Sequence, residues 1–450
     1  PPANTQAGSS GDAQAKMQDK IQDKAAEKAQ DADLKSRDVE RQRVAEQRRA
    51  ERHRQVAERR RQRRDQDLRA VEQAVREDST PRTYAAQPVG MEAPRFSFFG
   101  LPKTRCGSLA FIETGTSAIA EAATAMSRHA VQTSLLAGLR ARLRLPLIAA
   151  PMFLVSGIEL VSAACASGVI GAFPTVNCRT PDELDRWLHD IASRLARSSD
   201  ASGEAAAPVC PNLIVHRSNS RLQDDLAVLL RHRPELVITS VGSPAQVVAP
   251  LHDAGALVFA DVASIRHAER AAAAGADGLV LLTAGAGGQT GWLNPFVRAV
   301  RSFFAGPIVL AGGISDGVAL RAAEVLGCDL AYMGTRFIAT RESMADERYK
   351  AMLVESSADD VLLTSAFTGL PTSMLRPSIV AAGLDPDALP VRGAIEIGSD
   401  IDVAAREARP KRWRDVWSAG HATSGVTDIP TVATLVARTA DEYGRAREGA

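Results

Sequence analysis

The chain has 450 residues, of which 45% are hydrophobic, so it is long enough to bury one large core and to carry appended segments. Its formal net charge is only +1 at pH 7, and no apolar run reaches the length of a transmembrane helix, which argues against a membrane protein. The five cysteines are scattered without a Cys-x-x-Cys pair, a pattern that predicts free thiols in a cytoplasmic protein without a metal site.

Residues 1–80 differ in composition from the rest of the chain. From Gln14 to Arg76 almost every residue is charged, Gln or Ala, with Arg the commonest basic residue. This composition favours helix locally, but apolar residues are too sparse to bury a helix face. We interpret the segment as a solvated tail, disordered or partly helical, and do not expect it to bind nucleic acid. The chain begins with Pro1, and Met91 and Met126 are both compatible with a native start.

Residues 81–132 carry clusters of Pro, Gly and Ser, and we interpret them as a linker. From residue 133 onwards, apolar runs of strand length alternate with amphipathic helical patterns. The runs are almost continuous in Val, Ile, Leu and Ala, as expected for a parallel sheet covered on both faces. Eight such units in about 200 residues match the size of a TIM (β/α)8 barrel. A doubly wound open sheet is the alternative, but it rarely contains eight consecutive crossovers.

The predicted fold class is therefore α/β, with a (β/α)8 barrel over 133–340 and a helical segment and lid that pack on it over 341–450. The predicted strands are Leu145–Met152, Val169–Val176, Val209–Val215, Leu236–Val241, Ala256–Val262, Gly278–Thr283, Pro307–Gly312 and Leu330–Ile338. The predicted helices are Gly157–Ala166, Pro181–Ala196, Arg221–Arg231, Pro244–Ala254, Ser264–Ala274, Pro295–Phe304, Asp316–Leu326 and Asp346–Ser356.

The loops at the carboxyl ends of the strands are the candidate site, because barrel enzymes place their active sites there. Each of the last three predicted strands has glycines within its carboxyl half or directly after it, namely Gly285, Gly287 and Gly288, then Gly312 and Gly313, then Gly334. Glycine leaves backbone amides bare, so an anion or a flat ring can approach closely. Loops after strands seven and eight commonly bind phosphate in this fold, and the pattern therefore predicts a ligand that carries phosphate.

Two further predictions concern loops around the mouth of the barrel. Asn294 is expected to cap the helix that follows the first glycine loop, with Pro295 in its first turn. The stretch Phe367–Ser378 is rich in residues that break helices and strands, and we expect it to form a lid over the mouth.

In combination, these motifs resemble the nitronate monooxygenase (2-nitropropane dioxygenase) family. The residues that carry the resemblance are Ala150–Met152, Asn212–His216, Ala286–Gly288, Ala311–Ile314 and Met333–Phe337. The resemblance implies a barrel that holds FMN, with Pro151 and Met152 against the isoalloxazine ring. By motif position, it implies that the other contacts to the flavin and its phosphate are Asn212, Gly287, Gly288, Gly312, Gly313, Tyr332, Met333, Gly334 and Thr335.

The chain departs from the family pattern at the catalytic position. Many members have His directly after the paired glycines, as the base that takes the α-proton from a nitroalkane, and often Glu four residues before it. Here those positions are Gln289 and Gly285. A carboxamide has no useful basicity near neutral pH, although it can donate a hydrogen bond.

A replacement base is expected elsewhere on the barrel, if one is needed. His216, at the end of the third strand, is the best placed, with Ser240 and Asp261 on the next strands. A structural role for His216 beside Ser218 and Asn219 is equally compatible with the sequence.

The resemblance implies FMN-dependent oxidation of an alkyl nitronate or nitroalkane by dioxygen, with Gln289, His216 and Ser240 as the catalytic candidates. One alternative is an NAD(P)H-dependent flavin reductase of quinones or enoyl thioesters on the same barrel. A second is a flavin-binding or interaction protein without catalysis. The physiological substrate stays open at this stage, as does a homodimer.

Overall fold

A computed structural model describes residues 137–390 and 415–449. The predictions for the tail (1–80), for the linker (81–132) and for a native start at Met91 or Met126 lie outside these residues. Within the two described ranges, no helix is both long enough and apolar enough to cross a membrane.

Eight parallel strands close into a barrel, which confirms the predicted TIM fold. The barrel closes where β1 pairs with β9, with Ala149 opposite Met333, and each remaining barrel strand pairs with its neighbour in parallel. Nearly all strand residues are buried, because one face of each strand packs in the barrel interior and the other face packs against the surrounding helices. The barrel strands are β1 (Leu147–Ala149), β2 (Ile170–Pro174), β3 (Val209–Ile214), β4 (Leu236–Ser240), β5 (Leu257–Val262), β6 (Gly278–Leu282), β8 (Ile308–Ala311) and β9 (Leu330–Met333).

The helices expected between the strands are present, most with ends shifted by a residue or more. Several begin at a side chain that accepts a backbone N–H, namely Thr180, Ser264 and Asp316. The helices are α1 (Ile158–Ala166), α2 (Pro181–Ser202), α3 (Leu222–His232), α4 (Ala245–Asp253), α5 (Ile265–Ala273), α6 (Val297–Arg301), α7 (Gly317–Val325), α8 (Thr335–Ile338), α9 (Glu347–Glu355), α10 (Arg376–Ala381) and α11 (Val432–Glu448).

Two predicted strands are shorter than expected. The first was predicted over Leu145–Met152, but β1 covers only Leu147–Ala149, between two prolines that have no N–H to give to a ladder. The last was predicted to run to Ile338, but β9 ends at Met333. Gly334 then turns into the right-handed helical region, and Thr335–Ile338 forms α8.

The predicted cap at Asn294 is wrong. Helix α6 begins at Val297, with Phe296 at its N-cap position, and Pro295 lies before the helix. Phe296 and Val297 are buried in the layer between barrel and helices, whereas Asn294 is exposed. Burial of the phenyl ring therefore sets where the helix begins, in preference to a polar cap.

A small antiparallel sheet that the sequence patterns do not predict lies beside the barrel. Gly288–Gln289 forms β7, which pairs with β11 (Thr372–Leu375), and β11 pairs in turn with β10 (Val361–Thr364). The stretch Phe367–Ser378, predicted as a loop, thus contains a strand and the start of α10. The β7–β11 pairing joins this stretch directly to the glycine loop.

The contact between α7 and α11 offers a test of the packing. A Cβ on Gly317 would lie 2.2 Å from the backbone nitrogen of Tyr443, whereas a Cβ on Gly444, also on α11, would have no neighbour within 4 Å. We expect Gly317→Ala to lower the free energy of unfolding by about 1–3 kcal/mol, as for an overpacked core. Gly444→Ala, the matched control, should leave it unchanged or raise it by up to about 1 kcal/mol. Urea unfolding of the two variants makes the comparison, and equal effects would contradict this packing.

Candidate active site at the mouth of the barrel

A cavity of about 230 Å³ lies at the carboxyl ends of the barrel strands. Its walls come from the loops after the strands, and Trp417–Ala422 of the C-terminal region closes one side. Val241, directly after β4, also lines it and has a φ of 58°, which is strained for a β-branched residue. Strain of this kind is commonest at functional sites, and here it falls at the cavity wall.

Most of the residues predicted for the site line this cavity. Those that line it are Pro151, Met152, Asn212, Ser240, Gly287, Gly288, Gln289, Gly312, Gly313, Tyr332, Gly334 and Thr335. Met333 does not: it is fully buried between the barrel and its helices. Successive side chains of a strand point to opposite faces, so Tyr332 faces the interior and Met333 cannot.

His216 also lies outside the residues that line the cavity. Its Nδ1 is 2.8 Å from the hydroxyl oxygen of Ser218 and accepts a hydrogen bond from the Ser218 backbone N–H. The imidazole is therefore held in the local turn after β3, as in the structural alternative considered for it.

The glycines of the first loop make room for the C-terminal segment. A Cβ on Gly287 would lie 2.8 Å from the Gly420 nitrogen, and one on Gly285, whose φ is +87°, would lie 2.5 Å from Nδ1 of His421. The His421 backbone N–H donates to the Gly285 carbonyl oxygen at 2.8 Å. The Gly420 N–H donates to Oγ1 of Thr335 at 3.0 Å. These glycines are thus required by a contact within the chain.

Gly313 after β8 and Gly334 after β9 are different, because they face open space, whereas a Cβ on Gly312 would lie 2.5 Å from Oγ1 of Thr283. A Cβ on Gly313 would meet nothing within 4 Å, and one on Gly334 would come no closer than 3.6 Å to Ala150 or Met152. Both line the cavity. They leave a cradle in which a ligand can approach the backbone closely.

The floor of the cavity carries polar side chains from the inner faces of the strands. The Ser240 hydroxyl donates to the carboxamide oxygen of Asn212 at 3.2 Å, and the Asn212 amide donates to the Ile238 carbonyl oxygen at 3.3 Å. This pair is satisfied within the barrel, and it directs two neutral side chains toward the cavity.

Asp261 and Tyr332 are the other polar residues of the floor. Oδ1 of Asp261 and the hydroxyl of Tyr332 are buried, and neither has a hydrogen-bond partner among the described residues. Burial raises the pKa of Asp261 to about 8, and burial together with the Asp261 charge raises the pKa of Tyr332 well above its ordinary value. Both groups are therefore uncharged at neutral pH.

The upper wall of the cavity is aromatic. Tyr349 of α9 and Trp417 stack with their ring centroids 5.0 Å apart and their planes 10° apart, and both are buried. The Tyr349 hydroxyl donates to the Ser418 carbonyl oxygen, which fixes the pair to the C-terminal segment. Gln289 lies on the cavity wall, and its carboxamide has no hydrogen bond to another described residue.

The described cysteines are not candidates for catalysis. Cys165, Cys178, Cys210 and Cys328 are free and buried, and none lines the cavity. Burial raises the pKa of Cys328 to about 12 and raises that of the others as strongly, so they stay protonated.

A family model described as nitronate monooxygenase matches residues 136–442, more than half of the sequence. The chain belongs to the nitronate monooxygenase family. A nitronate monooxygenase of Paraburkholderia phytofirmans is 28% identical over 341 residues, which cover 65% of this chain and 90% of that protein. A (3aS,4S,5R,7aS)-5-hydroxy-7a-methyl-1-oxo-octahydro-1H-indene-4-carboxyl-CoA dehydrogenase of Mycobacterium tuberculosis is 27% identical over 52% of this chain and 64% of its own length.

Solved structures agree with this assignment. The nitroalkane oxidase of Streptomyces ansochromogenes superposes with a TM-score of 0.57 and 25% identity, over 69% of this chain and 99% of that one. FabK from Thermotoga maritima, at 22% identity, has a TM-score of 0.55 over 69% of this chain and 96% of its own, and supports the fold alone. The nitronate monooxygenase family consists of oxidoreductases that bind flavin, and this chain is an oxidoreductase.

Within the family, the environment of Gly285 explains one departure of this chain. A Glu side chain at that position has no room, because the His421 ring occupies the space beside Gly285. Sequence patterns could not reveal this, because the two residues are far apart in the chain and only the fold brings them together.

The pKa of Asp261 gives a test of the floor that needs no ligand. The folded pKa of about 8 lies above the value of 3.8 for an exposed carboxyl, so the folded state holds the proton longer. The contribution of Asp261 to stability is therefore full below about pH 4 and is lost as the pH rises toward about 8. We expect the flavin-free wild type to lose thermal stability relative to Asp261→Asn between about pH 5 and about pH 8. An equal difference in Tm between the two proteins at both pH values would contradict this environment.

Proposed function

We propose that this chain oxidises alkyl nitronates with dioxygen, using FMN, and yields a carbonyl compound and nitrite. In the net reaction, two nitronate anions and one dioxygen molecule give two carbonyl molecules and two nitrite ions, so atoms and charge balance. Bound flavin would supply the electron acceptor for the nitronate. The observation that carries the proposal is the upper wall of the cavity, which holds Gln289 and aromatic rings and, among the described residues, no side chain basic enough to deprotonate a nitroalkane.

The described residues fit FMN. The open backbone at Gly313 and Gly334, with the Thr335 hydroxyl beside it, suits a phosphate held by neutral donors. Pro151 and Met152 of the β1 loop offer an apolar surface for a flat ring. The unpartnered polar atoms of Asp261 and Tyr332 offer hydrogen bonds to its polar edge. Each of these features belongs to the protein before any ligand binds.

The side chains of this chain would then act on the substrate in three ways. The Gln289 carboxamide would donate a hydrogen bond to the nitro group of the anion. The Tyr349–Trp417 pair would pack against the alkyl chain and exclude water. A substrate that arrives already deprotonated needs no base, which is consistent with glutamine at this position.

A reductase that uses NAD(P)H on quinones or enoyl thioesters is the second candidate. The similarity to the coenzyme A ester dehydrogenase of M. tuberculosis favours it. Nicotinamide dinucleotides and coenzyme A carry several phosphates, which proteins commonly bind with Arg or Lys. Neither residue type lines the cavity in the described part of the chain, which favours the nitronate.

The proposed function is tested by products and stoichiometry. The flavin-loaded protein, incubated with a primary alkyl nitronate in air, should consume oxygen and release nitrite and aldehyde without NADH or NADPH. Turnover that depends strictly on a nicotinamide, with no nitrite formed, would contradict the proposal.

The role of Gln289 is tested by restoring a base. Gln289→His should raise kcat/KM for the neutral nitroalkane by about a hundredfold, at the lower end of what general bases contribute, while nitronate turnover continues. Gln289→Ala, the control, should lower kcat/KM for the nitronate and gain nothing on the nitroalkane. Wild-type turnover of the neutral nitroalkane at the rate of the nitronate would show that a base is present.

The cradle is tested with two glycines of different surroundings. Gly334→Ala adds a methyl group that faces the cavity, at an ordinary φ, and should weaken FMN binding with little loss of stability in the flavin-free protein. Gly287→Ala meets the Gly420 backbone instead and should lower Tm with or without flavin. Fluorescence titration with FMN and thermal unfolding distinguish the effects of the two substitutions. Tight FMN binding by Gly334→Ala would contradict a ligand site at the open glycines.

A further inference from the structure

Of the four polar residues of the cavity floor, two hydrogen-bond to each other and two have polar atoms without a hydrogen-bond partner among the described residues. Asn212 and Ser240 bind each other, whereas Oδ1 of Asp261 and the hydroxyl of Tyr332 are buried without a partner among the described residues. Both unsatisfied residues line the cavity, and Tyr332 is more than nine-tenths buried. Buried polar groups in folded proteins nearly always have partners, so these two point to a polar group on a ligand.

The topology indicates which part of the ligand reaches them. The open glycines follow β8 and β9, and in the closed order of strands β3 and β4 stand across the barrel from them, with β5 next to β4. A ligand with its phosphate at Gly313 and Gly334 therefore extends its other end over the floor toward β3 and β4, beside Asp261 of β5. If that ligand is FMN, as in the function proposed above, the end over Asp261 is the isoalloxazine ring.

We propose that Asp261 binds the isoalloxazine ring as a neutral carboxylic acid, donating its proton in a hydrogen bond to an acceptor on the ring edge, with the Tyr332 hydroxyl as a second contact. No covalent step is involved. Ionised Asp261 has no proton to donate, and its negative charge would face an acceptor atom on the ring edge. Asp261 thus makes the affinity for flavin dependent on pH.

Asp261 is the group of the cavity floor that changes its charge near neutral pH, because its titratable neighbours stay neutral. The titratable groups that interact with it are Cys210 of β3 and Tyr332 of β9, and burial raises the pKa of both, so they stay neutral. None of the described residues that line the cavity is a cation able to stabilise the carboxylate. Its ionisation is therefore opposed by burial alone.

The test is FMN binding between about pH 7 and about pH 9, where the phosphate is fully ionised. We expect the dissociation constant of the wild type to rise by about tenfold per pH unit once Asp261 ionises. Asp261→Asn keeps a donor that cannot ionise, and its dissociation constant should stay level over the same range. Tyr332→Phe, the matched control, should bind FMN more weakly at every pH but keep the wild-type slope.

The absorbance spectrum of the bound flavin is a second readout, because a charge that forms at the ring edge shifts the visible bands. The shift with pH should occur in the wild type and be absent in Asp261→Asn. Wild-type protein that binds FMN with the same affinity and spectrum across the range would overturn this inference and leave the proposed function standing. A protein that takes up no FMN at any pH would overturn both.

Discussion

The mouth of the barrel depends on one close backbone contact, between the Gly285–Gly288 turn and Ala419–His421. The two segments lie so close that a Cβ on Gly287 or on Gly420 would come within 2.8 Å of the other segment's backbone. Hydrogen bonds from the His421 and Gly420 amides tie the segment to the β6 loop and to Thr335 after β9. The contact therefore joins two strand ends that are not adjacent, and it holds Trp417 against Tyr349 over the cavity.

This arrangement produces a site with a neutral, aromatic upper wall and a polar floor. None of the described residues that line the cavity is basic, and its one carboxyl is kept neutral by burial. Such a site can hold a flat, partly polar cofactor below and a small anion with an apolar chain above. It offers little for a substrate that must first lose a proton, because the described residue that faces the substrate space from the paired-glycine loop is Gln289.

Much of the fold follows from local pattern, and the exceptions have physical reasons. The eight strands are continuous apolar runs between helical patterns, so the barrel and the position of its mouth could be predicted from the sequence. The cavity residues followed because they sit just after those runs. Met333 does not line the cavity because its side chain points to the other face of the strand, and a run of apolar residues does not reveal that one-residue alternation. His216 does not line it either, and a local hydrogen bond holds it beside Ser218.

Contacts between distant segments could not be predicted. The pairing of Gly288–Gln289 with Thr372–Ser373, and the fit of His421 beside Gly285, depend on residues far apart in sequence. From the sequence, the glycines of the first loop are expected to leave room for a ligand. A glycine, however, shows only that a side chain does not fit at that position, and not what occupies the space. The fold shows that at Gly285 and Gly287 the neighbour is the chain itself.

The most direct test of the central claim is the response of the flavin in the absence of oxygen. The purified protein, loaded with FMN, would be mixed anaerobically with an alkyl nitronate and, separately, with NADH and NADPH, while the flavin absorbance is followed. We expect a rapid change in flavin absorbance with the nitronate and none with either nicotinamide. Full bleaching by a nicotinamide, with no response to the nitronate, would contradict it and make the chain a reductase.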